Sequence, residues 1–464
     1  MPNVAFIRNE LKNKLASYYL IRDCIEGEQK IKAGKTKYLP MPNASDTSIE
    51  NQTRYKAYVE RAVFYNVTQR TLEGLVGQVF AKPAEIEISP ILDTVKDDAN
   101  GSGISLEQVA KRALSLNVSF GRAGVLVDYP ATDTPASRAD IINGDIRPTI
   151  ETYNPWDIIN WRTIARGAKE ILSLVVLHED FVYSDDGFEM KTGEQWRVLR
   201  LENDLTYKVE VWRKGEADFS IVEQYYPKDS TGNYIREIPF TFIGSKNNDS
   251  EIDEAPLYSI ASLNIAHYRN SADYEESCFM VGQPTPIFTG LTEAWVKNVL
   301  DGVIALGSRG SIPLPVGASA SLLQAEPNSM PMEAMTAKER QMVALGAKLV
   351  EQAQVQRTAT EAGLENASES SILASCTNNV SAAIKWALEW CGVFVGNFEP
   401  VIFKLNSEFN VNVYDAQIAV AKQGEVSLGL TAKADYRSWL RKVGQLDPER
   451  TDEMIDSEAE VEII

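Results

Sequence analysis

Histidine is nearly missing from this chain: only His178 and His267 occur among its 464 residues. A multi-histidine metal centre cannot be built within one copy, and the HEDFV run at His178 lacks the second histidine of a zinc-protease helix. Both histidines read as structural or surface residues. Cysteine is scarce too. Cys24, Cys278, Cys376 and Cys391 lie far apart except for the last two, which share a predicted helix at a spacing unsuited to a metal or disulfide motif. A reducing compartment fits this usage. No run of about 18 apolar residues occurs, and the N-terminal MPNVAFIRNELKNKL has no apolar stretch of signal-peptide length. These absences argue against export and membrane insertion.

A basic excess is also lacking. With 46 basic against 65 acidic side chains the net charge is −19, which argues against sequence-specific DNA binding through a basic face. The acidity has two readings: a solvated surface that keeps a subunit in solution, or an acid-lined passage that repels phosphate so that nucleic acid slides without sticking. Charge alone does not choose between them. Nucleotide chemistry has little support. In AGKT, Ala33 to Thr36, the glycine that a phosphate loop needs five positions upstream is replaced by Gln29, and no buried strand precedes it. GSRGS, Gly307 to Ser311, is not a nucleophile elbow. The acidic NNDSEIDE, Asn247 to Glu254, lacks the glycine and terminal glutamate of a calcium-binding EF-hand loop and reads as a solvated turn.

What is present is enough for large cores: 44% of the residues are hydrophobic, and the length predicts more than one structural unit. The chain reads as folded and soluble. It is helical to about Tyr38, with a Pro/Asn/Ser/Thr-rich connector from Pro40 to Thr53. One amphipathic helix is then predicted, with Tyr58, Ala62, Val63, Val67 and Thr71 on one side, Leu72, Leu75 and Val76 continuing the run, and Pro83 as its stop. EIEISP alternates like a strand. Leu106 to Val118 reads as a helix, VLVDYP as an apolar strand, and YNPWDIINWR as a compact stretch whose tryptophans anchor a core. From Ile171 to Phe242 the pattern is β, predicting one antiparallel sheet that ends with IPFTFIG.

Two long helices follow, one from Pro256, a favoured first-turn proline, to about Val281, the other from Pro331 to Val355. Between them Gly282, Pro284 and Pro286 break the chain into a small mixed unit: a short strand, a helix from Glu293 to Leu306, and strand-like IPLPV and SLLQAE. Neither long helix has a broad apolar face. Alanine, serine, asparagine and methionine are interspersed with charge, a surface suited to packing on copies of itself, although a helical hairpin packed within one chain is the alternative. Val355 to Ser371 lacks apolar periodicity and reads as a loop. A third long helix runs from Ser368 or Ser371 to Gly396, with Ile372, Cys376, Val380, Ala383, Ile384, Ala387, Trp390 and Cys391 at core spacing. A strand is expected at Phe403 to Asn410, then helices at Ala416 to Lys422 and Ala432 to Val443, stopped by Gly424 and Gly444, with an acidic fraying tail from Glu449.

The order of these parts, with YLPMP at Tyr38 to Pro42, the Arg54 to Pro83 module, Asn154 to Arg162, and TATEA at Thr358 to Ala362 followed by SESSIL at Ser368 to Leu373, resembles the portal proteins of tailed bacteriophages. The match is of pattern and order; no single motif is diagnostic, and the insertion and C-terminus match weakly. The resemblance implies an α+β fold of portal-like architecture: a mixed α/β wing (1–255), stem helix 1 (256–281), a small α/β clip (282–330), stem helix 2 (331–355), a tunnel loop (356–367), a long wing helix and strand (368–411), and a helical crown with acidic tail (412–464).

It further implies a virion protein assembled in the host cytoplasm as a dodecameric ring at one capsid vertex. Double-stranded DNA would pass through it without sequence specificity during packaging and ejection. Its partners would be the terminase motor, the adaptor or head-completion proteins, and the major capsid protein, with no membrane and no cofactor. By the same resemblance Arg357, Thr358 and Thr360 on the loop, and Lys338, Arg340 and Lys348 on the second stem helix, are the candidates for facing DNA. For the three stem residues, ion pairing between subunits is the competing role. No catalytic or metal-binding residue is expected. The alternatives are another phage head-assembly or connector protein, or a nuclease or ATPase subunit of the packaging machinery.

Overall fold

In a computed structural model the chain is a mixed α/β protein. The structure describes residues 3–130, 146–215, 218–282, 285–299, 312–323, 329–349, 371–407, 409, 416–442, 445–447 and 450–461. It divides into two compact units, Met1–Ser407 and Glu408–Ile464.

The first unit begins with helices α1 (Asn9–Glu26) and α2 (Glu28–Ala33), and the AGKT motif sits at the end of α2 and in the 3-10 turn that follows it. There it lies between helices, with no strand before it. The expected single helix from Arg54 onward is two helices, α3 (Ile49–Arg61) and α4 (Val67–Val79). Ala62 turns the backbone to an extended ψ of 138°, and Asn66 starts α4 by accepting the Gln69 N–H. The break is stabilised from far away in sequence. The buried Ser271 hydroxyl accepts the Val63 N–H at 3.1 Å and donates to the Val63 carbonyl at 2.7 Å. Asn264 donates to the Tyr65 carbonyl at 2.8 Å, and its Oδ1 accepts from both the backbone and the hydroxyl of Thr68. These side chains replace the bonds a continuous helix would have made. Val63, expected on the apolar face, is 49% exposed.

Strand β1 (Glu85–Glu87) and the short α5 (Asp93–Asp97) lead to α6 (Leu106–Phe120). A capping box between Ser105 and Gln108 opens α6, and Gly121 closes it in the left-handed conformation at φ 67°. A Cβ at Gly121 would collide with the Glu254 carbonyl, so only glycine fits there. The strands β2 (Arg122–Asp128) and β3 (Thr149–Tyr153) come next, then β4 (Ile158–Arg166), β5 (Lys169–Asp185), β6 (Met190–Leu201), β7 (Tyr207–Lys214), β8 (Phe219–Tyr225) and β9 (Phe240–Gly244).

The single sheet expected from this β region is two. Strands β4 to β8 form an antiparallel meander in sequence order, whereas β9 pairs with β2 in a three-stranded sheet ordered β3-β2-β9. Near-continuous burial on β2 and β9 explains the difference: both run through the core, against α6. Trp161 is buried in that core, with Trp156 half-buried beside Phe120.

Helix α7 (Tyr258–Gly282), strand β10 (Thr285–Thr289), helix α8 (Glu293–Val299), strand β11 (Ser319–Leu323) and helix α9 (Met330–Lys348) follow. Strands β10 and β11 make a two-stranded antiparallel sheet, while IPLPV forms no strand within its described residues. Helix α10 (Ile372–Val395) is capped by Ser371, whose hydroxyl accepts the Ala374 N–H, and ends at Gly396 in the left-handed conformation. Its Cys376, Val380, Ala383, Ile384, Ala387 and Cys391 are buried as the periodicity predicts; Ile372 is exposed at the first turn and Trp390 is half-buried. The strand expected at 403–410 is only β12 (Ile402–Lys404), which pairs with β1. The end of β9 is fastened to α6 and α10 together: Asn117 and Asn379 both donate to the Gly244 carbonyl, at 3.0 and 2.7 Å.

The second unit contains α11 (Ala416–Ser427), α12 (Lys433–Lys442) and α13 (Asp452–Val461). Gly424 does not stop α11, which continues to Ser427, and the acidic tail expected to fray is helical in α13. Arg437 pairs with Asp456 and Arg441 with Asp452, joining α12 to α13. Those pairs supply the order that the tail's composition does not show.

Candidate interaction surface

Helices α7 and α9 pack antiparallel. His267 on α7 meets Glu339 on α9 at 3.1 Å, and one turn further along α7 the Lys338 ammonium donates to Asn270 Oδ1 at 2.6 Å. The start of α7 is core: Ile260, Ala261, Ile265, Tyr268 and Ala272 are buried. At mid-helix the environment changes to charge. Tyr58 donates to Asp273 at 2.6 Å, Arg61 and Arg54 pair with Glu276, and the Arg61 guanidinium lies 4.2 Å above the Phe279 ring.

Beyond Ala272 burial stops. No described residue between 273 and 341 is buried, and the next that is, Met342, lies well along α9. Large apolar side chains are exposed along this span, Phe279, Met280, Ile287, Leu322, Met330 and Met332 among them, with Val316 fully exposed. It is also poor in charge. Between residues 282 and 330 only Glu293, Lys297, Asp301, Arg309 and Glu326 are ionisable, in a chain that is 24% charged overall. A two-stranded sheet and a seven-residue helix do not hold themselves together in water, and among the described residues of this region none is buried to form a core.

The candidate residues fall into two groups. Lys338 is half-buried and donates to the neutral Asn270 side chain, which leaves its charge in place. Arg340 and Lys348 are exposed on α9 and have no ion-pair partner among the described residues. The tunnel loop 356–367, with Arg357, Thr358 and Thr360, lies outside the described residues, as does the expected helix beyond Val299 and the GSRGS run. The end of α9 is tied to the start of α10 by the Leu373 N–H, which donates to the Leu349 carbonyl at 3.1 Å.

His267 is buried in the α7–α9 contact, and His178 sits between Asp157 and Glu194, with those two carboxylates raising its pKa. Cys24, Cys376 and Cys391 are buried free thiols and Cys278 is an exposed one. Among the described residues no group of three or more His, Cys, Asp or Glu is arranged around a metal position. No described helix is long and apolar enough to cross a membrane. The acidic loop 247–254 is organised by its own backbone: Asp253 accepts the Lys246 N–H and Asp249 the Glu251 N–H.

Two charged groups escaped the sequence reading because nothing local marks them. Arg122, the first residue of β2, is buried. Its guanidinium lies 4.3 and 4.0 Å from the Trp161 and Phe242 rings and donates to the Ser250 and Glu251 carbonyls. Desolvation lowers its pKa to about 10. Glu151 on β3 is the other. Burial, reinforced by the charge of Asp128, lifts its carboxyl to about 7. The neighbouring Arg197 does not neutralise it, being bound to Asp128 at 2.5 Å and to Glu179 at 2.9 Å.

A family model described as a domain of unknown function, DUF4055, matches residues 256–395, from the start of α7 to the end of α10. No curated protein matches the chain. Among solved structures, a chain in the virion of a native gene transfer agent (GTA) particle is similar over 83% of this chain and 92% of its own, at 14% identity and a TM-score of 0.41. A chain in the neck of the native GTA particle computed with C12 symmetry covers 81% and 89% at 13% identity and a TM-score of 0.40. A chain in the neck of the empty particle computed with C6 symmetry covers 82% and 91% at 13% identity and a TM-score of 0.41. Likeness at these TM-scores carries no argument about the role of this chain.

Proposed function

We propose that this protein is a phage portal protein: a structural, non-catalytic subunit that closes into a ring, twelve copies by the family resemblance, at one vertex of a capsid. DNA passes through the ring, the packaging motor docks on it during filling, and head-completion or adaptor proteins of the tail replace the motor. The observation that carries this reading is the span 273–341, where the helices and small sheet expose apolar side chains and no described residue up to Gln341 is buried. Neighbouring copies supply the missing cover. A closed ring requires two different, complementary faces on each subunit, and the α7–α9 pair offers such faces on either side. The alternative of a hairpin packed within one chain accounts for the first half of α7 and leaves the second half uncovered.

Purified full-length protein should sediment as a single large oligomer and appear as rings by negative-stain microscopy, without metal-dependent hydrolysis of nucleotide or DNA. A globular monomer at tens of micromolar, or DNA cleavage in magnesium, would overturn the reading.

A further inference from the structure

Away from α7 and α9, a cavity of about 330 Å³ opens between α6 and strand β3. Val109 and Ile150 provide apolar wall, Gln108 and Thr152 polar wall, and Glu151 and Arg112 the charges. Glu151 has no hydrogen-bond or ion-pair partner among the described residues. Two cations act on it, Arg112 and Arg197, and Arg197 is committed to Asp128 and Glu179. Arg112 is exposed and reaches Glu151 only through space. β3 is moreover an edge strand. The Ile150 N–H points away from β2 and donates to the Ala99 carbonyl. By the alternation of an antiparallel ladder, Thr152 also directs its N–H and carbonyl away from β2, towards the cavity side. A partly buried carboxylate and an outward carbonyl beside an apolar wall match an ammonium or guanidinium group on an alkyl stem.

We propose that this cavity is a binding site for an organic cation, with Glu151 as its counter-ion. Two sources share that chemistry: a free polyamine, or the basic side chain of a neighbouring copy, and only the second rests on the ring reading above. Occupation converts Glu151 fully to its ionised form, so binding near neutral pH releases a proton. Arg112, of the same sign as the ligand, opposes binding. Opposite effects of two neighbouring substitutions are therefore expected, and saturation at one ligand per chain separates the site from general attraction of cations to an acidic surface.

The test is calorimetric titration of agmatine into the full-length chain at low salt. Saturable one-to-one binding is expected at pH 8, with proton uptake by the buffer near pH 7. Glu151→Gln should weaken binding by about tenfold or more and Arg112→Ala should strengthen it by a few-fold. Equal affinity in wild type and Glu151→Gln, or no saturable binding, overturns the site. If Glu151→Gln does not fold, Arg112→Ala with the proton-release measurement decides the matter. Agmatine binding that disappears when copies assemble assigns the native occupant to a neighbour's side chain. Binding that persists in the assembly assigns it to a free polyamine. The dilute chain tests the site whether or not rings form.

Discussion

Helix α7 passes from one kind of environment to another along its own length, and the contrast between its two halves extends to the whole first unit. Up to Ala272 its side chains are packed among α1, α3 and α4, and Asn264 and Ser271 there hydrogen-bond to the break between α3 and α4. From Asp273 the same regular helix has ion pairs along one side and exposed phenylalanine and methionine at its end. Regular backbone is thus no guide to where stability comes from. One region folds on itself, and in the other no described residue from Asp273 to Gln341 is buried.

The strongest way to break this contrast is to cut side chains in both regions and compare. Ile384→Ala, in the α10 core where the side chain is fully buried, should cost about 3 to 4 kcal/mol in chemical denaturation of the dilute chain. Met332→Ser and Val316→Ser should leave that denaturation within about 0.5 kcal/mol and weaken self-association in sedimentation. Equal losses in both regions would mean that the span 273–341 has a core after all.

A smaller effect sharpens the boundary between the two. Asn264→Ala removes three hydrogen bonds at the α3–α4 break and leaves the buried N–H and hydroxyl of Thr68 without their Asn264 acceptor, at a cost of about 2 to 3 kcal/mol. If residues 54–79 could instead close into one helix, the loss would be slight and helical circular dichroism would rise.

The smallest effect concerns the well-packed region's own misfit. Because the Glu151 pKa is raised in the fold, to about 7, the neutral carboxyl favours the folded state. Its contribution is complete below the unfolded value near 4.3 and is lost as pH rises through about 7. Glu151→Gln should therefore raise the thermal midpoint at pH 8 by roughly 1 to 3 °C and change it little at pH 4. A rise of the same size at both pH values would point to packing rather than charge.

Much of the fold was legible where the signal is local. The periodicity of α10, its serine cap and its terminal glycine, and the alternation of β5 to β7 lie within short windows of sequence. Most of the failures involve partners distant in the chain. The α3–α4 break depends on Asn264 and Ser271, some two hundred residues on. β9 left the predicted sheet because its neighbour is β2 rather than β8. Gly424 continues α11 because glycine in an exposed helix costs only about 1 kcal/mol, too little to end it. Nothing near Lys338 in the sequence marks Asn270 as its partner, and Arg122 and Glu151 carry no local mark of burial.

The distribution of thiols gives the molecule a single chemical handle. Desolvation pushes Cys24 and Cys376 up to about 12 and Cys391 higher still, which keeps all three protonated and shielded from electrophiles. Cys278 alone is open to solvent, on the uncovered half of α7. A maleimide dye should therefore attach once per chain without any cysteine being engineered away. In a symmetric assembly those dyes would sit at one level around the axis, so their mutual quenching would report how many sisters each copy has.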